Sequence, residues 1–536
     1  MTNNGKMMLL EFLDKSRSKL DRREFIQHAL AAGVSIATAD VMLSTGARAQ
    51  PKKGGNFRLG LGHGSTTDTL DPGTAPDQFT QAGFGGGTLS NALTEVNAKG
   101  EITGDIAESF ESTNGARTWA FKLRKDIVFH NGKPLTPDDV IASISHHRTE
   151  GSTSAAKSML AAIRSIRADG PDLVVFELEG GNADFPYITS DYKLPIMPAN
   201  ADGTADWRSG VRTGPYVLEK FEPGIRASFT KNPNYHWSDR GWFDRVEFLS
   251  ITDITARTNA LATNEIDYMD ECDLRTINLL GRSPDVQILE TTGFGHYTFP
   301  MTVTQKPFDD VNVRLALKYS IDREDIKQKI YAGRGRAGND NPIAPTVKFG
   351  IDPQPKHVYD PVMARSYLKK AGMDSLSVDL NVSDAAFANC VDAALLWKEH
   401  ARACNIDINV VKEPVDAYWD NVWMKKPFTA AYWNGRPSVD WMLSTAYAAG
   451  ATWNDTFWDN PKFNELLVTA RAEINESRRA AMYAELQQIL HDDGGVIVLL
   501  FNSYVDAHTK RLAHGEVAGN FPLDGMKITE RWWFAT

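Results

Sequence analysis

Cysteine is scarce: Cys272, Cys390 and Cys404 are the only three in 536 residues. Three is too few, and an odd number, for a disulfide framework. Cys390 and Cys404 share a segment of helical pattern and lie roughly 21 Å apart along a helix axis. Buried free thiols are therefore expected. Positive charge is also in deficit. Lys and Arg number 58 against 68 Asp and Glu, a net charge of −10, and no basic run supplies the footprint of a nucleic-acid binder. Catalytic signatures are missing as well. There is no Walker loop, no GxSxG elbow and no HExxH. Gly333-Arg334-Gly335-Arg336-Ala337-Gly338 fits GxGxxG, but it follows a helical segment where a dinucleotide site needs a strand. The neighbours His146 and His147 point to different sides of a helix, with no carboxylate at a metal-ligand spacing. These absences argue against an enzyme, a cofactor and a metal. What remains is ordinary for a soluble globular chain, 42% hydrophobic and 24% charged, and long enough for about three or four domain-sized units.

The first 49 residues differ in kind. Arg22-Arg23-Glu24-Phe25-Ile26 is a twin-arginine pattern, and a weakly apolar stretch follows from Ala29 to Thr45. Ala47-Arg48-Ala49 fits a small-x-small cleavage site, with Gln50 as the mature start. Asp40 interrupts the apolar run, which falls short of the ~20 residues that span a bilayer. The expectation is a signal peptide over 1–49, the twin-arginine translocase as export partner, and a periplasmic protein. Such export carries chains that fold first in a reducing compartment, which agrees with the sparse cysteine.

The most telling stretch is Thr118 to Val140, TWAFKLRKDIVFHNGKPLTPDDV. Trp119, Phe121 and Leu123 alternate with Ala120, Lys122 and Arg124, the period of a half-buried strand. Asn131-Gly132 makes a turn, and Thr136-Pro137-Asp138-Asp139 opens a helix with a cap, a first-position proline and early acids. The string resembles the F-x-L-R-x-x-x-x-F-H-x-G signature of the extracytoplasmic solute-binding proteins of peptide-type ABC importers. Leu70-Asp71-Pro72, Thr213-Gly214-Pro215-Tyr216 and Pro307-Phe308-Asp309-Asp310 are similar to further elements of that family, in the same order. So are Val313-Arg314-Leu315-Ala316 and Ile321-Asp322-Arg323. The resemblance implies an α/β fold of the two-lobe periplasmic binding type (type II), with an extra subdomain in lobe one. It places lobe one at 50–300 plus 505–536 and lobe two at 301–504. It also implies a small-molecule ligand, an ABC permease as partner and a monomer.

Local patterns predict strands over Asn56–Leu61, Leu173–Leu178, Ala227–Thr230, Arg245–Ile251, Phe294–Val303, Ile406–Val411 and Val496–Phe501. Helices are expected over Pro137–His147, Ala155–Ile166, Val311–Tyr319, Ala385–Ala403 and Ser477–Leu490.

Candidate ligand groups concentrate where a strand runs into the loop Tyr432-Trp433-Asn434-Gly435-Arg436-Pro437-Ser438-Val439-Asp440. Loops off the carboxyl ends of strands are where α/β lobes hold ligands. Relatives of the resembled family often carry an acid-rich loop here that binds a peptide's amino terminus, and Asp440 is the candidate for that role. Arg436 departs from the acidic pattern and can grip a carboxylate bidentately, which suits an amino-acid-like or opine-like ligand. Alternatively, Arg436 and Asp440 pair with each other. Asn434, between Trp433 and Arg436, is a further candidate contact. Trp433 and Trp453 are candidate pocket walls, with core packing as the competing role. From lobe one, His63 follows the first strand and either faces the cleft or is solvated. Tyr297 either touches ligand or steadies the hinge. The expected solute is small and amine-bearing: a short peptide, an amino-acid conjugate or an opine. A cationic amine or polyamine is the alternative, and a ligand sensor or folding helper without a transporter is another.

Overall fold

The computed structural model describes residues 51–414 and 418–535; the twin-arginine leader lies outside them. The main sheet has nine strands. Its order is Ala431–Trp433, Val286–Pro300, Val496–Thr509, Tyr268–Met269, Asn56–Leu61, Arg245–Ser250, Arg226–Lys231 and Tyr216–Glu222. Arg336–Ala337 pairs separately with Val496–Thr509. Asn56–Leu61 runs parallel to both of its neighbours, so Leu61 and Met269 end side by side in the middle of the sheet.

Two strands cross between the lobes. Val286–Pro300 and Val496–Thr509 pair antiparallel along nearly their whole length, with an irregular register between Thr292 and His296. They change cores on the way. Val286 and Val505 pack with Ile266, Met269 and Ile277. Phe294 and Phe501 pack with Met442, Tyr447 and Tyr483, and Phe299 packs with Phe308, Trp397 and Phe428. The crossing on the first strand falls a few residues before the 300/301 border drawn from the sequence. Both strands are longer than predicted because the residues bridging the lobes keep extended pairing after the alternation fades.

Before the first crossing, a separate four-stranded antiparallel sheet holds Ala107–Thr113, Thr118–Leu123, Leu173–Leu178 and Ile163–Ala168. Trp119, Phe121 and Leu123 are buried, as alternation requires. Helix Pro137–His146 covers this core with Val140 and Ile144, and Thr136 and Asp139 form the capping box at its start. The helix expected over Ala155–Ile166 is absent: a short 3-10 turn at Ser158–Leu160 gives way to a strand from Ile163. A register irregularity between Ile163 and Ser165 explains the error. It spaces the apolar Ile163 and Ile166 three apart, which imitates helical period on a strand.

The second lobe alternates helices and strands. Leu376–Val382 and Ile406–Lys412 are parallel, joined through helix Cys390–Arg402. That helix starts five residues later than predicted because Asn389 takes a left-handed backbone at its N-cap, a conformation Asn tolerates. The three cysteines are buried and free. The C-terminal segment returns to lobe one, where Trp532 and Phe534 pack against Tyr268 and Phe243. Lys527 meets Glu95 at 3.0 Å, Asp105 at 3.1 Å and Glu530 at 3.0 Å. Burial disfavours its charge, yet the three carboxylates hold its pKa above the ordinary lysine value. Among the described residues no helix is long and apolar enough to cross a membrane.

Candidate ligand-binding cleft

The lobe-two wall starts from the three-residue edge strand Ala431–Trp433, paired to Val286–Pro300 with Tyr432 opposite Tyr297 and Trp433 opposite His296. Strand alternation sends those two pairs to opposite faces. Trp433 is turned into the core at 5% exposure, whereas Tyr432 is 44% exposed. The exposed ring at this strand end is therefore Tyr432, one position before the candidate. Tyr297 stacks on Phe387 at 4.5 Å and is half-buried beside the crossing strands.

Aromatic rings run on from there, edge-to-face in the first three steps and tilted in the last. Tyr432 meets Trp419 at 5.5 Å and Trp419 meets Trp423 at 5.5 Å; Trp423 meets Trp433 at 6.5 Å and Trp433 meets Trp453 at 6.3 Å. Trp453 closes the series at 48% exposure. Behind it Trp423 Nε1 donates to the buried carboxyl of Asp455 at 3.1 Å. Burial pushes the Asp455 pKa up to about 7, against the hydrogen bond from Trp423 that favours its charge. Asp455 thus ties the aromatic series to the core.

The loop after Trp433 is tightly specified. A Cβ on Gly435 would lie 2.2 Å from Phe294 Cβ and 2.6 Å from its carbonyl carbon, so only glycine lets the loop press onto the Phe294 backbone. Ser438 caps helix Val439–Ala446, accepting from Trp441 N at 3.3 Å. Arg436 stands between. Its Nη1 donates to the carbonyls of Asn434 at 2.9 Å and Gly435 at 3.3 Å, and its guanidinium lies 5.7 Å from the Trp441 ring centre. Among the described residues no carboxylate comes within ion-pair distance of it. Burial lowers its pKa, and the charges of Asp191 and Tyr192 of lobe one offset part of that. Asn434 is exposed at the loop's outer side.

Asp440 is placed otherwise than the sequence reading supposed. It is buried in the first turn of its helix and accepts Arg471 Nε at 2.9 and 3.1 Å and Ser444 Oγ at 3.1 Å. It neither pairs with Arg436 nor presents a free oxygen to a ligand. The acid faces the helix side that packs on Pro461–Ala472, whereas Arg436 sits in the loop. Arg471 and its neighbours reach lobe one: Ala183 N donates to the Arg471 carbonyl at 2.8 Å. Asp184 takes Arg479 at 3.4 Å and the Tyr483 hydroxyl at 3.3 Å. Burial raises the Asp184 pKa to about 6 despite Arg479.

A model of the bacterial extracellular solute-binding proteins, family 5, matches residues 101–455, about two-thirds of the chain. The chain belongs to that family. The solute-binding protein is 23% identical over 500 residues to the dipeptide-binding protein of Escherichia coli K12, covering 82% of this chain and 90% of that one. In solved structures it is similar to HbpA2 of Haemophilus parasuis, with TM-score 0.79, 19% identity and coverage of 87% and 98%. It is also similar to AgaA of A. tumefaciens R10 in complex with agropinic acid, with TM-score 0.70, 20% identity and coverage of 90% and 99%. These structures share its two-lobe α/β fold.

The lobe-one candidate, His63, lies at the paired ends of Asn56–Leu61 and Tyr268–Met269. His63 is half-buried there, with Nε2 at 3.3 Å from Glu271 Oε1 and 3.9 Å from Asp270 Oδ2. The Glu271 hydrogen bond raises the His63 pKa against the opposing effect of burial. The charge of Glu271 also acts on the Tyr297 hydroxyl, whose pKa burial raises further. His63 and Tyr297 thus share one electrostatic neighbourhood at the base of the crossing strands. Sequence reasoning missed Tyr432, Asp270 and Glu271. Parity along the Ala431–Trp433 strand would have found Tyr432; nothing in sequence brings Asp270 and Glu271 to His63.

Proposed function

We propose that this protein is the extracytoplasmic solute receptor of an ABC importer, working in the periplasm and handing its ligand to an inner-membrane permease. The ligand is a small solute carrying both an amine and a carboxylate: a short peptide, an amino-acid conjugate or an opine. Arg436 carries this reading. A guanidinium in a loop between the lobes, with Nε and Nη2 unpaired among the described residues, is built to take a carboxylate in a two-pronged bond. The exposed faces of Tyr432 and Trp453 are suited to an ammonium group by cation–π attraction and to an apolar body by stacking. That one relative is a dipeptide-binding protein supports the class, and the AgaA complex holds an acid, which agrees with a carboxylate on the solute.

No bond of the solute needs to be broken. Ligand first meets one lobe, and closure about the crossing strands buries it between both, drawing on a closed state that the ligand binds more tightly. The test is native mass spectrometry of the exported protein, with identification of the released small molecule and titration of the Arg436→Ala variant. A stoichiometric companion bearing a carboxylate is expected, with affinity reduced at least about tenfold in the variant, as loss of a charged hydrogen bond implies. A companion without a carboxylate, or unchanged affinity in the variant, would refute the reading.

A further inference from the structure

The lobe-one cluster has a feature that solute capture by Arg436 and the aromatic wall leaves unused. Asp270 is 1% exposed. Its Oδ1 is held by Gly62 N at 2.8 Å and Arg257 Nε at 3.2 Å, while its Oδ2 has no hydrogen-bond partner. That bare oxygen faces His63 Nε2. Glu271 completes the group, its Oε1 also taking Gln78 Nε2 at 3.1 Å. One atom from each of His63, Asp270 and Glu271 lies within 4.8 Å of the other two. A buried carboxylate oxygen without a donor is costly unless a cation meets it.

We infer that His63, Asp270 and Glu271 form a site for a divalent first-row transition ion such as Zn2+ on the lobe-one side of the cleft. The donor set is right for that class: one imidazole and two carboxylates, three protein ligands with a position left open. The spacing is close to right as well. Donors around a tetrahedral zinc lie roughly 3.3 Å apart, given bonds of about 2.0–2.1 Å. Small turns of His63 and Glu271, the two more exposed members, bring all three into range. Arg257 and Gly62 then act as the outer partners that fix the Asp270 carboxylate. The ion takes the place of hydrogen on His63 Nε2 and the ring keeps its one proton on Nδ1; a proton leaves only from a ring that starts doubly protonated. The open position faces the cleft, where a solute's own donor atoms can fill it. A second group, His357, His491 and Asp492, is unsuited: the two rings stack at 3.8 Å and 12°, so their in-plane lone pairs run side by side instead of converging.

The experiment is isothermal titration of the chelator-stripped purified protein with zinc chloride, in the absence of any solute. His63→Ala and Glu271→Gln are titrated beside it. One ion per chain is expected, with affinity at least about tenfold weaker in each variant, in keeping with the losses seen when even outer partners of a metal are removed. Absence of saturable binding in the parent, or parental affinity in either variant, overturns the proposal. Because no solute is present, failure here leaves capture by Arg436 standing, and failure of that reading leaves this one standing.

Discussion

Two carboxylate pairs lie near the junction of the lobes, and they are paired in opposite ways. Asp184 and Asp440 sit among Arg471, Arg479, the Tyr483 hydroxyl and Ser444, with both oxygens of Asp440 accepting from Arg471 Nε. Asp270 and Glu271 share His63, Gln78 and Arg257, and one buried oxygen is left bare. Burial raises the pKa of Asp440, Asp184 and Asp270 alike. Pairing is what separates them: the first cluster holds the lobes' contact surface, and the second leaves one carboxylate oxygen without a donor. A carboxylate in this cleft is thus no sign of a ligand site until its partners are counted.

The strongest way to break this comparison is at Arg471. Arg471→Ala strips the counter-charge from buried Asp440 and should cost about 3–5 kcal/mol of stability, as removal of one partner from a buried pair does. Urea denaturation reads it; a loss below 1 kcal/mol would show that the first cluster is no better paired than the second. Next is Asp270→Asn. The folded-state pKa of Asp270 is about 6 against an ordinary 3.8, chiefly through burial and then through Glu271. A folded acid with a raised pKa binds its proton more tightly than the unfolded chain does. Its contribution to stability is therefore whole below about pH 4 and is lost as pH climbs to 6. The amide keeps the Oδ1 acceptor and carries no charge, so the variant should gain on the parent by up to about 3 kcal/mol between pH 4 and pH 7. Paired melting curves across that range would show a constant gap if the bare oxygen carries no cost. The smallest effect is expected for His63→Ala. A half-exposed histidine–glutamate contact is worth less than about 1 kcal/mol, so the metal-free melting point should hardly move. A loss above 2 kcal/mol would make His63 a structural member like Arg471.

Much of the architecture was legible in the chain. The alternation of Trp119, Phe121 and Leu123 and the cap at Thr136 are local facts, and the structure keeps them. The signature segments led to the right family because several motifs recur in one order. Where local reading failed, a backbone irregularity had disguised the period, as at Ile163 to Ile166, or a left-handed residue had delayed a helix, as at Asn389. The loop around Arg436 was found from its position after a strand, but the roles within it were not. Asp440 is turned to Arg471, thirty-one residues on, and no spacing rule carries that. Trp433 and Tyr432 differ only in which face of one strand they leave, and pairing with Val286–Pro300 fixes the face.

By itself, then, the sequence determined what local sterics and hydrophobic period decide: the strands, the capped helices, the buried thiols and the family. The tertiary structure alone decided which charges meet. His63 and Glu271 stand 208 positions apart along the chain. They become neighbours because two parallel strands in the middle of the sheet end together. Electrostatic partnership depends on distance through space and on burial, and neither is written in the order of residues.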